Sequence, residues 1–361
     1  MSANGTYSGL DGGAVNGLYN GVNSGVGNGV VFNDRNLISN NLNKDGLVMY
    51  LDAGSRISYL GSGTVWTDLS GNGNNGTLTN GPTFNSGNGG SIVFDGIDDY
   101  VNSNNISNVQ TLSYWIEPSV SNNLNLSSCL GETFYINGVL SESILGNELV
   151  TNGNFNSNTN SWAASGTTIS WINGISGDGS IGYMRFNVNN NINYDRFFQT
   201  VNSVASKTYF ISFWYRTSGV TGPFAIYLNS SNPSLSNNIT CINIEPSTNW
   251  TYVSLIMATT STLGFPVFSF AKIGSVGSGT FDIDAISMKE IITTSIIAGK
   301  WINITTTSSQ PLYKSNNFGT TNTSSGGIFN GKISNVMKYN RALSAAEVLQ
   351  NYLATKSRFN L

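Results

Sequence analysis

The sequence predicts an all-β protein of the sandwich or jelly-roll type, with a glycine-repeat arm before the strands and a short helix at the end. Three observations predict these parts. Short runs rich in Val, Ile, Tyr, Phe and Trp alternate with Gly/Asn turn clusters, as in sandwiches and jelly rolls. A glycine recurs every fourth residue near the N-terminus, and a helix-capping pattern stands near the C-terminus.

The composition excludes several classes of function. The 361 residues contain no His, so the chain alone builds neither a Ser-His-Asp triad nor a His-ligated zinc or haem site. A net charge of −3 without a basic stripe argues against nucleic-acid binding. No apolar stretch reaches the length of a membrane-spanning helix, so we expect no membrane insertion.

The same composition indicates a location outside the cell. Only 10% of the residues are charged, while 41 Gly and 52 Asn supply neutral polarity, as in exposed extracellular β proteins. The N-terminus carries neither the basic nor the apolar region of a signal peptide. A protein made in a host cytoplasm and released on a virion surface fits both observations.

The arm, residues 1–45 with its linker, contains a strict four-residue repeat. We expect it to order by packing on another chain, because glycine at a fixed period permits close backbone approach and a flexible linker needs no apolar residue at a fixed phase. A flexible linker is the alternative. The predicted assembly residues are Gly5, Gly9, Gly13, Gly17, Leu18, Gly21, Val22, Gly25, Val26, Gly29 and Val30.

The first predicted sandwich begins at residue 46. Its strands include residues 47–51, 91–94 and 111–116, and Asn137-Gly138 between apolar pairs predicts a type I′ hairpin. Near the C-terminus, Ser344 and Glu347 form a capping-box pattern. Val348, Leu349 and Tyr352 are the expected buried stripe of that short helix.

These segments resemble a known family. The order GLVMYLDAG, WTDLSGNGNNG and IVFDGIDDYV, together with the closing segment GKISNVMKYNRALSAAEVLQNY, is similar to laminin-G-like, concanavalin-A-like jelly rolls. Between these flanks, a segment that opens ELVTNGNFNSNTNSWAASG and closes GTFDIDAISMKE resembles carbohydrate-binding modules of the galactose-binding-like type. We therefore predict a jelly roll of residues 46–147 and 291–361, interrupted by a β-sandwich of residues 148–290.

Carboxylates are the candidate metal ligands. Asp282 and Asp284 alternate on one strand and so share a face, and the resemblance implies a structural Ca²⁺ in this region. Asp95, Asp98 and Asp99 also supply oxygen ligands of the kind that Ca²⁺ takes. The alternative for these three is an Asp-rich turn held by backbone hydrogen bonds, which the resemblance favours.

Aromatic side chains in the inserted segment are the candidate glycan contacts. We predict Trp162, Trp171 and Tyr227 as ligand-binding residues, although most aromatic side chains on strands belong to cores. Trp214 and Tyr215 are neighbours on one strand and point to opposite faces. At most one of them can therefore serve an open cleft.

The sequence thus favours a non-enzymatic virion structural protein. The resemblance implies a capsid-decoration, head-fibre or tail-fibre component of a tailed bacteriophage that displays sandwiches for adhesion to glycans. Its expected partners are other virion proteins, through the arm, and copies of itself. The alternatives are a carbohydrate-active enzyme or its ancillary binding module, and a bacterial surface adhesin.

Overall fold

The computed structural model describes residues 41–103, 106–121, 126, 133–140, 145–189, 195–204, 207–229, 238–258, 267–272, 277–292, 296–312, 317–319 and 329–361. The predicted all-β class is confirmed, because nearly every regular element in these ranges is a strand. Residues 1–40, which contain the whole glycine repeat of the arm, lie outside the described residues. No helix in these ranges is long and apolar enough to span a membrane.

The described strands, in chain order, are β1 (Leu47–Asp52), β2 (Val65–Trp66), β3 (Gly76–Thr79), β4 (Thr83–Asn85), β5 (Ser91–Asp95), β6 (Tyr100–Ser103), β7 (Thr111–Pro118), β8 (Thr133–Ile136), β9 (Val139–Leu140), β10 (Leu145–Glu148), β11 (Ala163–Ser165), β12 (Ile169–Ile175), β13 (Ile181–Val188), β14 (Arg196–Thr200), β15 (Thr208–Ser218), β16 (Phe224–Asn229), β17 (Asn238–Ile244), β18 (Thr251–Ala258), β19 (Val267–Lys272), β20 (Gly279–Ile291), β21 (Ile302–Thr307), β22 (Asn317–Phe318) and β23 (Asn330–Tyr339). One α-helix, α1 (Ala345–Thr355), follows them, and short 3₁₀ turns lie at Gly87–Gly89 and Lys356–Phe359.

The two ends of the chain build the first pair of sheets. An eight-stranded sheet has the order β4-β5-β23-β7-β21-β8-β9, and β1 also pairs with β23. A four-stranded sheet has the order β2-β3-β6-β22. Trp66, Phe94, Tyr114 and Phe318 lie in the core that these strands enclose.

The middle of the chain builds the second pair of sheets. A six-stranded sheet has the order β12-β13-β20-β15-β18, with β10 also paired to β20, and a five-stranded sheet has the order β11-β14-β19-β16-β17. Phenylalanines fill their shared core, where Phe197 stacks on Phe270 at 4.8 Å. The described strands of these two sheets therefore fall within residues 145–291. Whether residues 148–290 are a separate domain stays a prediction.

Two local predictions agree with the structure. Asn137 and Gly138 join β8 to β9 with φ angles of 51° and 77°, as a type I′ hairpin requires. Ser344 caps α1, because its side chain accepts from the Glu347 amide while the Glu347 carboxylate accepts from the Ser344 amide.

The predicted buried stripe of α1 needs a correction. Val348 is buried and Tyr352 is half-buried, but Leu349 is exposed and Asn351 takes the second buried position. Asn351 is buried because its side chain donates to the Tyr339 hydroxyl and accepts from the Asn43 amide. Polar partners on two neighbouring segments thus set how the helix is rotated on the sheet.

Candidate functional site

The outer face of the six-stranded sheet, the face turned away from the core, carries Trp214, Arg216 and Asp282. Along β15, Tyr209, Ile211, Phe213 and Tyr215 enter the core, so the alternate positions point outward. Phe210 on this outer face packs against Phe134 of the eight-stranded sheet, with ring centroids 6.3 Å apart. The two pairs of sheets therefore touch here, and the outer face continues beyond the contact toward Trp214 and Arg216.

Asp282 is paired with two arginines on this face. Arg185 on β13 donates from Nε to Oδ1 at 2.7 Å and from Nη2 to Oδ2 at 2.9 Å. Arg216 on β15 donates from Nε to Oδ2 at 3.0 Å. Both carboxylate oxygens of Asp282 therefore already have cationic partners. This arrangement favours ion pairing over the predicted calcium coordination at Asp282.

Asp284 has a different environment. It is fully buried, Ser180 Oγ donates to its Oδ2 at 3.0 Å, and its Oδ1 has no hydrogen-bond partner among the described residues. Burial raises the pKa of Asp284, and hydrogen bonds to its carboxylate, the largest from Ser176, oppose part of that rise. The calcium site stays a prediction, and Asp284 is the member of the pair with an oxygen left for a cation.

The Asp95-Asp98-Asp99 turn brings three carboxylates within 4.8 Å of one another. Asp99 accepts from the Asp95 amide and Asp95 accepts from the Ile97 amide, at 2.9 and 2.7 Å. Burial raises the pKa of Asp99. These hydrogen bonds are those expected of an Asp-rich turn, so we assign no ion there.

The predicted glycan contacts Trp162, Trp171 and Tyr227 do not lie together at a surface. Trp162 is buried between Phe155 and Phe197, and its indole N–H donates to the Asn152 carbonyl. Trp162 is therefore a core residue, and its burial does not support the predicted contact with a ligand.

Trp171 and Tyr227 lie on different sheets. Trp171 is half-buried against the core and donates its indole N–H to the Phe155 carbonyl at 2.6 Å. Tyr227 is buried in a small cluster with Ala225 and Ala271 on the five-stranded sheet. Tyr227 is therefore no surface residue and Trp171 lies apart from it, so the predicted residues form no common sugar-binding platform.

A groove lies instead where the two pairs of sheets meet. Its volume is about 530 Å³. We call it the junction groove. The second pair of sheets lines it with Trp214, Glu245, Trp250, Thr251 and Tyr252, and the first pair with Ile106, Ser107, Asn108, Gln310, Pro311 and Leu312.

Asp282 and its partner Arg216 support Trp250, one of the aromatic residues that line the groove. The Arg216 guanidinium lies 4.8 Å from the centroid of Trp250 and 5.3 Å from that of Tyr183, and its Nη2 donates to the Tyr183 hydroxyl at 2.9 Å. Because Asp282 fixes Arg216, it also fixes the cation–π stack that supports Trp250. Asp282 thus acts on the groove through Arg216.

The sequence patterns did not predict Trp250, Tyr252 and Glu245 as groove residues. A usable signal was present for Tyr252, because Val253, Leu255 and Met257 of β18 enter the core and alternation sends Tyr252 outward. Tyr252 then meets Trp214 on the paired strand, with ring centroids 5.4 Å apart. The prediction that Trp214 and Tyr215 face opposite ways agrees with this arrangement.

Comparison with known proteins gives structural similarity alone. No protein-family model and no curated protein matches the chain. A family 16 carbohydrate-binding module is 18% identical with a TM-score of 0.31, covering 39% of this chain and 98% of that one. A family 11 carbohydrate-binding module from Clostridium thermocellum, in complex with a β-1,3-1,4-mixed-linked tetrasaccharide, is 16% identical with a TM-score of 0.30, covering 41% and 96%.

The enzymatically active domain of a bacteriophage CBA120 tailspike is also similar, at 16% identity and a TM-score of 0.33, covering 42% of this chain and 22% of that one. The similar structures thus include carbohydrate-binding modules and one phage domain. At these TM-scores they say nothing about function here.

Proposed function

We propose that the protein is a non-enzymatic adhesion protein that binds glycans in the junction groove. The observation that carries the proposal is the set of aromatic rings, Trp214, Trp250 and Tyr252, around one groove that also contains Asn108 and Gln310. Sugars combine apolar C–H faces with hydroxyl edges, so they pack on aromatic rings and hydrogen-bond to amides. A groove of about 530 Å³ lies within the usual size of ligand sites.

The groove favours binding over hydrolysis. Glycosidases place two carboxylates across the scissile bond, about 5 to 9.5 Å apart. Among the described residues that line the groove, Glu245 is the one carboxylate. Asp282, on the same sheet, is held by Arg185 and Arg216 and so is no candidate for a general acid or nucleophile. An ancillary binding module of an enzyme remains the alternative that shares this groove.

We infer further that the protein is displayed on a bacteriophage virion, as a decoration, head-fibre or tail-fibre component. The support comes from the sequence: low charge, abundant Asn and Gly, and an N-terminal repeat suited to packing on virion proteins or on sister copies. Weak glycan contacts become avid when many copies are presented on one particle. A bacterial surface adhesin is the alternative location for the same binding site.

The test is a binding measurement with Trp214→Ala against a panel of immobilised bacterial surface glycans. We expect the wild-type protein to bind at least one glycan and the variant to lose about tenfold or more in affinity, since the ring supplies a central apolar contact. Phe198→Ala is the matched control, because Phe198 is a half-buried aromatic residue on the outer face of the other sheet. If wild type and Trp214→Ala bind with equal affinity while Phe198→Ala loses affinity, glycans bind on the five-stranded sheet. That result would refute glycan binding in the junction groove.

A further inference from the structure

The C-terminal helix exposes an apolar surface beside an equally apolar strand. Leu349 and Leu353 are 39% and 52% exposed, and they stand four residues apart on one side of α1. On the neighbouring edge strand β9, Val139 and Leu140 are 64% and 45% exposed. We call these four side chains the leucine face.

Strand β9 and the helix are in contact. Gly138, which precedes β9, lies so close to the helix that an added Cβ would come within 2.9 Å of Tyr352 Cβ. Tyr352 follows Leu349 by three residues and therefore lies beside it on α1. The leucine face thus lies next to the packed side of the helix.

The N-terminal end of the described chain approaches the same helix. Asn43 donates from Nδ2 to Glu347 at 2.8 Å, and its amide donates to Asn351 Oδ1 at 2.9 Å. The Asn41 carbonyl accepts from Gln350 Nε2 at 2.8 Å. Residues 41–43 are therefore clamped along α1 by three hydrogen bonds.

The order of these contacts gives a direction. At about 100° per residue, positions 351, 347, 350, 353 and 349 follow one another around a helix. Read backward along the chain, Asn43 contacts the first two positions and Asn41 the third. Leu353 and Leu349 come further along the same order, so a chain that continued in this direction before Asn41 would reach the leucine face.

The chain has a suitable apolar segment at the right distance. Leu37 and Ile38 precede Asn41 by four and three residues, a reach of up to about 13 Å when extended. That reach covers the two turns of α1 that hold Leu349 and Leu353. We propose that Leu37 and Ile38 of the same chain cover the leucine face and fix the root of the glycine-repeat arm on the C-terminal helix.

Trypsin provides a direct readout, because Arg35 is the only Lys or Arg before Lys44. The rate of cleavage after Arg35 is measured in the full-length protein and in Leu349→Ser/Leu353→Ser. We expect slow cleavage in the wild-type protein and cleavage about tenfold or more faster in the double variant, because removing the apolar contact opens the segment. Leu37→Ser/Ile38→Ser changes the other side of the same contact and should give the same acceleration.

Ile181→Ser is the control, since Ile181 is an exposed apolar residue on β13 of the six-stranded sheet. Its cleavage rate after Arg35 should equal that of the wild type. The proposal is overturned if the wild-type protein is cut after Arg35 as fast as a free peptide of residues 28–40. It is equally overturned if protection rises with protein concentration, because a second copy would then cover the leucine face.

Discussion

The Asp282→Asn variant distinguishes two roles for one carboxylate. The substitution keeps the shape of the side chain and removes its charge. Asp282 is paired in the structure with Arg185 and Arg216, whereas the sequence predicted it as a calcium ligand. The two roles give different dependences on calcium, so one variant can separate them.

The size of the effect follows from the exposure of the three side chains. Asp282 is 3% exposed, while Arg185 and Arg216 are 31% and 33% exposed. Removing one partner of a buried pair costs about 3–5 kcal/mol, and solvent around the two arginines reduces this figure. We expect the free energy of unfolding to fall by about 2 kcal/mol, and glycan affinity to fall as well because Trp250 loses its support.

The assay is urea unfolding followed by tryptophan fluorescence, with added Ca²⁺ and with a chelator. We expect the same loss in both conditions. Asp45→Asn is the control, because Asp45 is 82% exposed in its pair with Arg341 and should change stability by about 0.5 kcal/mol or less. The opposite result would be that Ca²⁺ stabilises the wild type and that Asp282→Asn loses no stability when the chelator is present. The stabilising role of Asp282 would then be calcium binding and not pairing with the arginines.

Two further predictions concern other ion pairs. Lys272 and Asp195 are fully buried with Nζ and Oδ2 3.3 Å apart, so Lys272→Met should lower the free energy of unfolding by about 3–5 kcal/mol. Lys272→Met/Asp195→Leu should recover most of that loss in urea unfolding, and equal losses in both variants would contradict the reasoning. Hydrogen bonds from Arg341 and the Ser344 amide hold the pKa of Glu347 well below its ordinary range, so this carboxylate stabilises the fold above about pH 4. Glu347→Gln should lower the free energy of unfolding by about 1 kcal/mol at neutral pH. In unfolding measurements across a pH series, this difference from wild type should shrink below about pH 4. A difference that grew below about pH 4 would contradict the stabilising role of the ionised carboxylate.

Local patterns predicted what depends on neighbouring residues. The Asn137-Gly138 hairpin, the Ser344 cap and the opposite orientations of Trp214 and Tyr215 each depend on a few consecutive residues, and the structure contains all three. The same holds for the all-β class, since strand and turn composition is itself local.

The candidate site depended on contacts that local patterns do not contain. Asp282 is paired with arginines 97 and 66 residues away in the chain. Trp162 lies just before a short strand, and only its packing on Phe197 and Phe268 makes it a core residue. Alternation can place a side chain on a face but cannot say what covers that face, which is why the groove residues were missed.

The position of β23 sets the order in which the chain can fold during synthesis. This strand pairs with β1, β5 and β7, so the eight-stranded sheet stays incomplete until residue 339 has left the ribosome. All the described strands of the other two sheets are complete by residue 291. If residues 148–290 are the inserted domain that the sequence predicts, we expect the middle of the chain to fold first, because domains generally fold as units during synthesis. The earlier strands then wait for a partner made almost at the end.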